Sequence, residues 1–180
     1  MASATGYALF DTAIGRCAIA WGERGITHCA LPAASEEALR RHIARGVPLA
    51  DEQPAPPAIA AAITRIVALL AGARDDLCDL VLDLDDVTEF HRRVFATARA
   101  IAPGSTITYG ELARRLGTPG AAQAVGQALG ANPFPIIVPC HRIVAADGSL
   151  GGFSAPGGAR TKRRMLQIEG AIAQGDLGFE

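Results

Sequence analysis

The stretch NPFPIIVPCHRIV, residues 132–144, constrains this chain more than any other. It holds three X-Pro pairs: Asn132-Pro133, Phe134-Pro135 and Val138-Pro139. Each proline fixes its own φ and biases the residue before it toward extended backbone. The run therefore predicts a rigid turn leading into Cys140. Asn132 can brace that turn through bonds to its own backbone.

Cys140 is followed by His141 and Arg142. A thiol becomes a nucleophile when its anion is favoured by a cation, a helix N-terminus or a base. Neighbours on extended backbone point to opposite faces, so proton transfer from Cys140 to His141 requires a bridging water or a non-extended backbone. Downstream, DGSLGGFS and APGGA read as a flexible Gly-rich surface loop that closes over a bound group or merely connects elements. The remaining cysteines, Cys17, Cys29 and Cys78, are sparse and irregularly spaced, which fits reduced thiols in a cytosol better than a disulfide framework. No CxxC pair exists. His28 and Cys29 are adjacent without zinc-ligand spacing, and completing a site with His91 or Cys17 is the weaker reading, so no metal is expected.

The chain has 180 residues, of which 49% are hydrophobic, enough for one mid-sized domain or two small ones. No apolar run reaches membrane-spanning length, and the N-terminus MASATGYALFD lacks a basic region followed by an apolar one. A cytoplasmic protein without membrane contact is expected. Net charge is −1, but residues 1–87 carry seven Lys/Arg against twelve Asp/Glu, and residues 88–180 carry ten against six. Any polyanion contact is expected in the second half.

Residues 6–32, GYALFDTAIGRCAIAWGERGITHCALP, alternate β-prone runs with Gly-centred turns and predict a hairpin or three-stranded meander. SEEALRRHIARG predicts a helix capped by Ser35, with Glu36 and Glu37 at its positive end and Gly46 closing it. VPLADEQPAPP reads as a loop, residues 58–71 as an apolar helix, and LCDLVLDLDD as a strand by its alternation. A boundary falls near residues 84–88. It divides the chain into a small α/β supporting domain, 1–86, and a mainly helical domain, 87–180. From Thr88 the spacing of Phe90, Val94, Phe95 and Ala98 predicts a helix stopped at Pro103-Gly104. TYGELARRLG and PGAAQAVGQALG then form two short helices, a helix-turn-helix outline. The second is built almost wholly of Ala, Gly, Gln, Val and Leu, a smooth face that another backbone can approach closely.

Tyr109, the Ala/Gly-rich helix, NPFPIIVPCHRIV, DGSLGGFS and LQIEGA together resemble the O6-alkylguanine-DNA alkyltransferases over residues 88–171. The resemblance implies that Cys140 is a sacrificial acceptor of the alkyl group on guanine O6, with O4-alkylthymine a second candidate substrate. His141, acting through a water and oriented by Glu169, would remove the thiol proton, and Asn132 would brace the turn. Tyr109 would help flip the nucleotide out of duplex DNA and protonate the departing guanine at N3. Ala121, Ala122, Gln123, Ala124 and Gly126 would press into the minor groove. Pro135, Ile143, Phe153 and Ser154 would line the guanine pocket. A monomer that reacts once with alkylated double-stranded DNA, without a cofactor, is implied.

Two departures stand out. The family commonly places an arginine where this chain has Gln123, and glutamine lacks the charge and stacking plane of that side chain. Arg114 or Arg115 is a candidate substitute. The interval from Phe153 to Glu169 is about two residues longer than the family pattern. Arg160, Lys162, Arg163 and Arg164 follow the extra residues, as phosphate contacts or as a solvated helix start. Three other classes compete. A lesion-binding protein of the same fold would lack the cysteine. A Cys/His hydrolase using His141 and Glu169 would leave the helix-turn-helix unexplained. A transcription factor would leave PCHR without purpose.

Overall fold

The computed structural model describes residues 3–153 and 157–174. The expected meander forms: β1 (Ala4–Thr12), β2 (Gly15–Gly22) and β3 (Gly25–Ala30) pair antiparallel in sequence order. Helix α1 (Glu36–Gly46) follows, with Ser35 accepting the Ala38 amide at its N-terminus and Glu36 and Glu37 in its first turn, as the sequence predicts.

The sheet has four strands rather than three, in the order β3-β2-β1-β4. The segment read as a loop contains β4 (Asp51–Glu52), which pairs parallel with β1 through Gly6 and Tyr7. A two-residue strand has no alternation to display, so periodicity could not reveal it. Helix α2 (Pro57–Leu69) starts at a proline, whose missing amide costs nothing in the first turn.

The strand expected in LCDLVLDLDD does not form. Asp75, Asp76 and Asp83 each accept a backbone amide two residues on, at 2.9, 2.9 and 3.1 Å. Such local turns compete with a ladder. Only Leu82 bridges β3, with Ile26 donating to the Val81 carbonyl and accepting from Asp83. Val81 is 66% exposed, so the alternation there does not mark a buried face.

The C-terminal part is helical. Helix α3 (Glu89–Arg99) buries Val94, Phe95 and Ala98. A two-residue strand β5 (Ile107–Thr108) leads into α4 (Tyr109–Arg115), capped by Thr108, whose hydroxyl accepts the Glu111 amide at 3.1 Å. Helix α5 (Ala122–Gly130) completes the helix-turn-helix. A 3-10 turn at Cys140–Arg142, the strand β6 (Ile143–Val144) and α6 (Gly158–Ile168) follow. Parallel pairing of Ile107 with Ile143 and Thr108 with Val144 sets the start of α4 beside the exit of the cysteine turn.

The sheet is covered on both faces. Small residues Ala18, Ala20 and Ala30 meet Leu39 and Ile43 of α1. The larger Ile19, Trp21 and Leu31 join α2 and the helices of the C-terminal part in one continuous core. Ile66 sits in it with 0% exposure. Truncation of Ile66 to Ala should cost about 2–5 kcal/mol. Because the core is shared, Trp21 fluorescence and helical circular dichroism should report one coincident urea transition. Two separated transitions would show that the halves unfold independently.

Candidate active site

Asn132, one residue past the C-cap of α5, holds the proline-rich turn at two points. Its Oδ1 accepts the Phe134 amide at 2.8 Å, and its Nδ2 donates to the Val138 carbonyl at 3.1 Å. The Val138 amide returns to the Phe134 carbonyl, and the Cys140 amide donates to Val138 across Pro139, whose φ −80° and ψ 64° make an inverse γ-turn. Ile136 has φ +79°, a conformation a β-branched residue adopts at a cost on the order of 1–3 kcal/mol. Its buried side chain and the braces around it sustain that strain. The Cys29 amide of β3 donates to the Pro133 carbonyl at 2.8 Å, so the N-terminal sheet is strapped to this turn.

The turn delivers Cys140 half-buried at the start of a 3-10 turn, the non-extended backbone that sequence reasoning required, while His141 and Arg142 point into the protein. Their partner is Glu169, 27 residues beyond Arg142. His141 Nε2 lies 2.8 Å from Glu169 Oε1, and Arg142 grips the carboxylate through Nε and Nη2 at 2.9 and 2.7 Å. The third guanidinium branch, Nη1, donates to the Ile101 carbonyl past α3 at 2.7 Å. Burial alone would raise the Glu169 carboxyl, but the bonds from His141 and Arg142 outweigh it and hold it at about 2. Burial keeps His141 below the ordinary imidazole value despite the carboxylate. The contact is therefore a hydrogen bond from neutral imidazole, and Arg142 carries the compensating charge. With Nε2–H donated to Glu169, the lone pair resides on Nδ1, which is buried and has no partner among the described residues. That atom is a base waiting for a proton.

Burial raises the Cys140 thiol, while Asn132 and then the Lys162 charge pull it back. The resting group is a thiol that needs a base. Lys162 was expected as one member of a solvated basic run, yet it is fully buried. Its Nζ donates to the Ile143 carbonyl at 2.6 Å and lies 5.9 and 5.7 Å from the Tyr109 and Phe153 ring centroids. Burial lowers it to about 8, so its charge is labile near neutrality. Tyr109 donates to the Gly152 carbonyl at 3.4 Å, and burial, then the Cys140 charge, raise its phenol. Gly151, at φ +71°, suits the close approach of Tyr109: a Cβ there would lie 3.2 Å from the ring and press it aside by a few tenths of an ångström, on a backbone that L side chains rarely adopt.

Cys140 opens into a cleft of about 1160 Å³. Of the expected residues, Tyr109, Ala122, Gln123, Gly126, Asn132, Pro135 and Phe153 line it. Ile143 is not among the lining residues: its side chain is in the core, and the carbonyl that the resemblance assigns to the pocket accepts from Lys162. Ala121 caps α5 and packs on the core, and Ala124 is half-buried outside the lining. Ser154 lies outside the described residues. Arg114 and Arg115 both pair with Glu111 on α4, away from the lining, so neither stands in for Gln123 there. Sequence reasoning missed three things: Lys162, the Arg142 fork, and the participation of β3 and α1, whose His28, Cys29, Leu31, His42, Arg45 and Gly46 form the opposite wall. The signal for Lys162 was weak, a helical position four residues before Leu166 and on its face. Among the described residues no cluster of three metal-ligating side chains occurs, and no helix is long and apolar enough to cross a membrane.

Residues 89–171 match the family described as 6-O-methylguanine DNA methyltransferase, DNA binding domain. The chain is 35% identical to the methylated-DNA–protein-cysteine methyltransferase of Methanothermobacter thermautotrophicus over 157 residues, 87% of this chain and 81% of that one. It is 39% identical over 164 residues to the regulatory protein ada of Salmonella typhimurium, covering 91% of this chain but only 45% of that longer protein. The crystal structure of Mycobacterium tuberculosis OGT in complex with DNA superposes with a TM-score of 0.73 at 36% identity, over 93% of this chain and 94% of that one.

A carboxyl held below its unfolded value contributes stability that is complete above about 4.5 and is lost as pH falls through about 2. Glu169 should therefore account for a loss on the order of 3 kcal/mol across that interval. Glu169→Gln should remove this acid step and destabilise the protein at pH 7 by roughly 3–5 kcal/mol, because Arg142 is left buried without a counter-charge. Urea unfolding at pH 7 and at acid pH measures both. Wild-type stability with a wild-type acid profile would overturn the assignment.

Proposed function

The chain belongs to the methylated-DNA–protein-cysteine methyltransferase family, and from that premise we propose how its own residues carry the reaction. The protein reverses alkylation damage directly, moving the alkyl group from guanine O6 in double-stranded DNA to its own cysteine. The observation that carries the assignment of residues is Cys140 in a cleft, backed by an imidazole whose one free nitrogen is unpartnered.

His141 Nδ1 takes the Cys140 proton through a water, and the imidazolium that forms is stabilised by the ionised Glu169 to which Nε2 already donates. Lys162 lies close enough for its charge to favour the thiolate. The sulfur attacks the alkyl carbon; the S–C bond forms as the C–O6 bond breaks, and the electron pair returns to the guanine ring. Tyr109, which lines the cleft, protonates the leaving base at N3; the Lys162 charge beside it stabilises the phenolate left behind, which takes a proton back from solvent. The thioether is too stable to reverse, so one molecule repairs one lesion. O4-alkylthymine presents the same electrophilic carbon.

The alkyl carbon lies inside stacked duplex and must be brought out by base flipping, which costs a few kcal/mol. Helix α5 presents Ala122, Gln123 and Gly126 toward the cleft, small enough for the minor-groove walls, with Gln123 entering where the base leaves. Pro135 and Phe153 flank the base. Residues 1–86 support the turn, and residues 87–180 bind DNA and accept the group, in a cytoplasmic monomer. A lesion binder has no use for an acceptor thiol at this position.

Intact-protein mass spectrometry after mixing with duplex DNA containing O6-methylguanine should show a single gain of roughly 14 Da, absent in Cys140→Ser. Free O6-benzylguanine should alkylate the same thiol. Transfer from neither would sink the repair reading. Gln123→Arg should raise the duplex rate and leave the free-base rate in place, because only the duplex requires flipping. Equal changes in both would remove Gln123 from the flipping step.

A further inference from the structure

Helix α5 carries no charged residue; its sequence is AQAVGQALG. A helix laid against DNA without a cation leaves the phosphates beside it unneutralised, and phosphate neutralisation supplies much of the affinity of such complexes. The guanidinium that lines the cleft with it, Arg45, comes from the other half of the chain, together with two imidazoles. His28 on β3 and His42 and Arg45 on α1 line the wall opposite Gln123 and Gln127, and no Asp or Glu lies among the lining residues described.

This is not what the composition of that half suggests. Residues 1–87 are acidic, with seven Lys/Arg against twelve Asp/Glu, and the other arginines of α1 are paired: Arg40 with Glu36 and Glu52, Arg41 with Glu37. Arg45 is exposed and makes no ion pair among the described residues. His28 is held in place by packing. A Cβ on Gly46 would fall 2.7 Å from its ring, so the last residue of α1 must be glycine for the imidazole to sit there. Its Nδ1 is buried and has no partner among the described residues. Burial, and then the neighbouring charge, lower both imidazoles, His42 beside Arg45 and His28 beside His42.

We propose that His28, His42 and Arg45 form a phosphate subsite that grips the DNA backbone from the N-terminal wall of the cleft, opposite α5. The inference rests on the repair reading for the identity of the polyanion. It makes the N-terminal sheet and α1 part of the DNA interface, and it provides across the cleft the charge that Gln123 and Gln127 do not.

The test is the salt dependence of binding to an O6-methylguanine duplex, by fluorescence anisotropy in the Cys140→Ser background so that no alkyl transfer intervenes. Each phosphate contact contributes about 0.9 to the slope of log affinity against log salt. Arg45→Gln should lower the slope by about one and weaken binding several-fold at low salt. His42→Gln combined with Arg45→Gln should weaken it by roughly tenfold, and Arg45→Lys should restore the slope. In the Cys140 protein, the ratio of the duplex rate to the free O6-benzylguanine rate should fall with the same substitutions. An unchanged slope in Arg45→Gln and in Arg45→Glu would overturn the subsite, as would equal losses with duplex and free base. If wild-type protein transfers from neither substrate, the repair reading fails instead, which the binding slopes do not decide.

Discussion

Glu169 is the point to which the catalytic half of this protein is tied. A carboxylate buried at the end of α6 is tolerable only if its charge is matched and its lone pairs are filled, and Arg142 and His141 do both. Because Arg142 also donates to the Ile101 carbonyl, one guanidinium joins α6, the cysteine turn and the end of α3. The same carboxylate fixes the tautomer of His141 and so decides which nitrogen is free to act as base. Structural and chemical roles coincide in one side chain, and neither can be removed without the other.

The turn before Cys140 solves a different problem. The nucleophile must face a cleft while its two successors face the core, which an extended chain of adjacent residues would not achieve. Three prolines, the strained Ile136 and the two bonds of Asn132 bend the backbone into a γ-turn followed by a 3-10 turn. The chain then runs directly into β6, whose pairing with β5 sets Tyr109 over the cleft. The bond from Cys29 to Pro133 links this arrangement to the sheet, so the N-terminal half helps hold the turn as well as furnishing the opposite wall.

Charge is distributed in the cleft by position rather than by composition. Helix α5 on the cleft is neutral, Lys162 is buried beside Tyr109, and Arg45 with two imidazoles stands on a half of the chain that is acidic overall.

Local chemistry was enough to read much of this from the chain alone. The Ser35 cap, the period of α3, the Gly-bounded meander and the Asn132 brace depend on residues within a few positions of one another, and each formed as expected. The rigid turn into Cys140 was likewise legible, because three X-Pro pairs precede the thiol; its role as acceptor was implied by the resemblance and not by local chemistry. The alternation in LCDLVLDLDD misled because Asp83 within it, and Asp75 and Asp76 just before it, bond the local backbone in turns that compete with a ladder. Tertiary structure alone decided the rest. Lys162 and Ile143 are 19 residues apart and meet only because α6 packs on the turn. Arg142 and Glu169 are 27 residues apart in sequence, and His28 and Arg45 reach the cleft of Cys140 only once the N-terminal half packs beside the cysteine turn. Burial and long-range pairing are properties of the packed chain. They turn an arginine in a motif into a counter-ion and a lysine in a basic run into a buried donor to the Ile143 carbonyl.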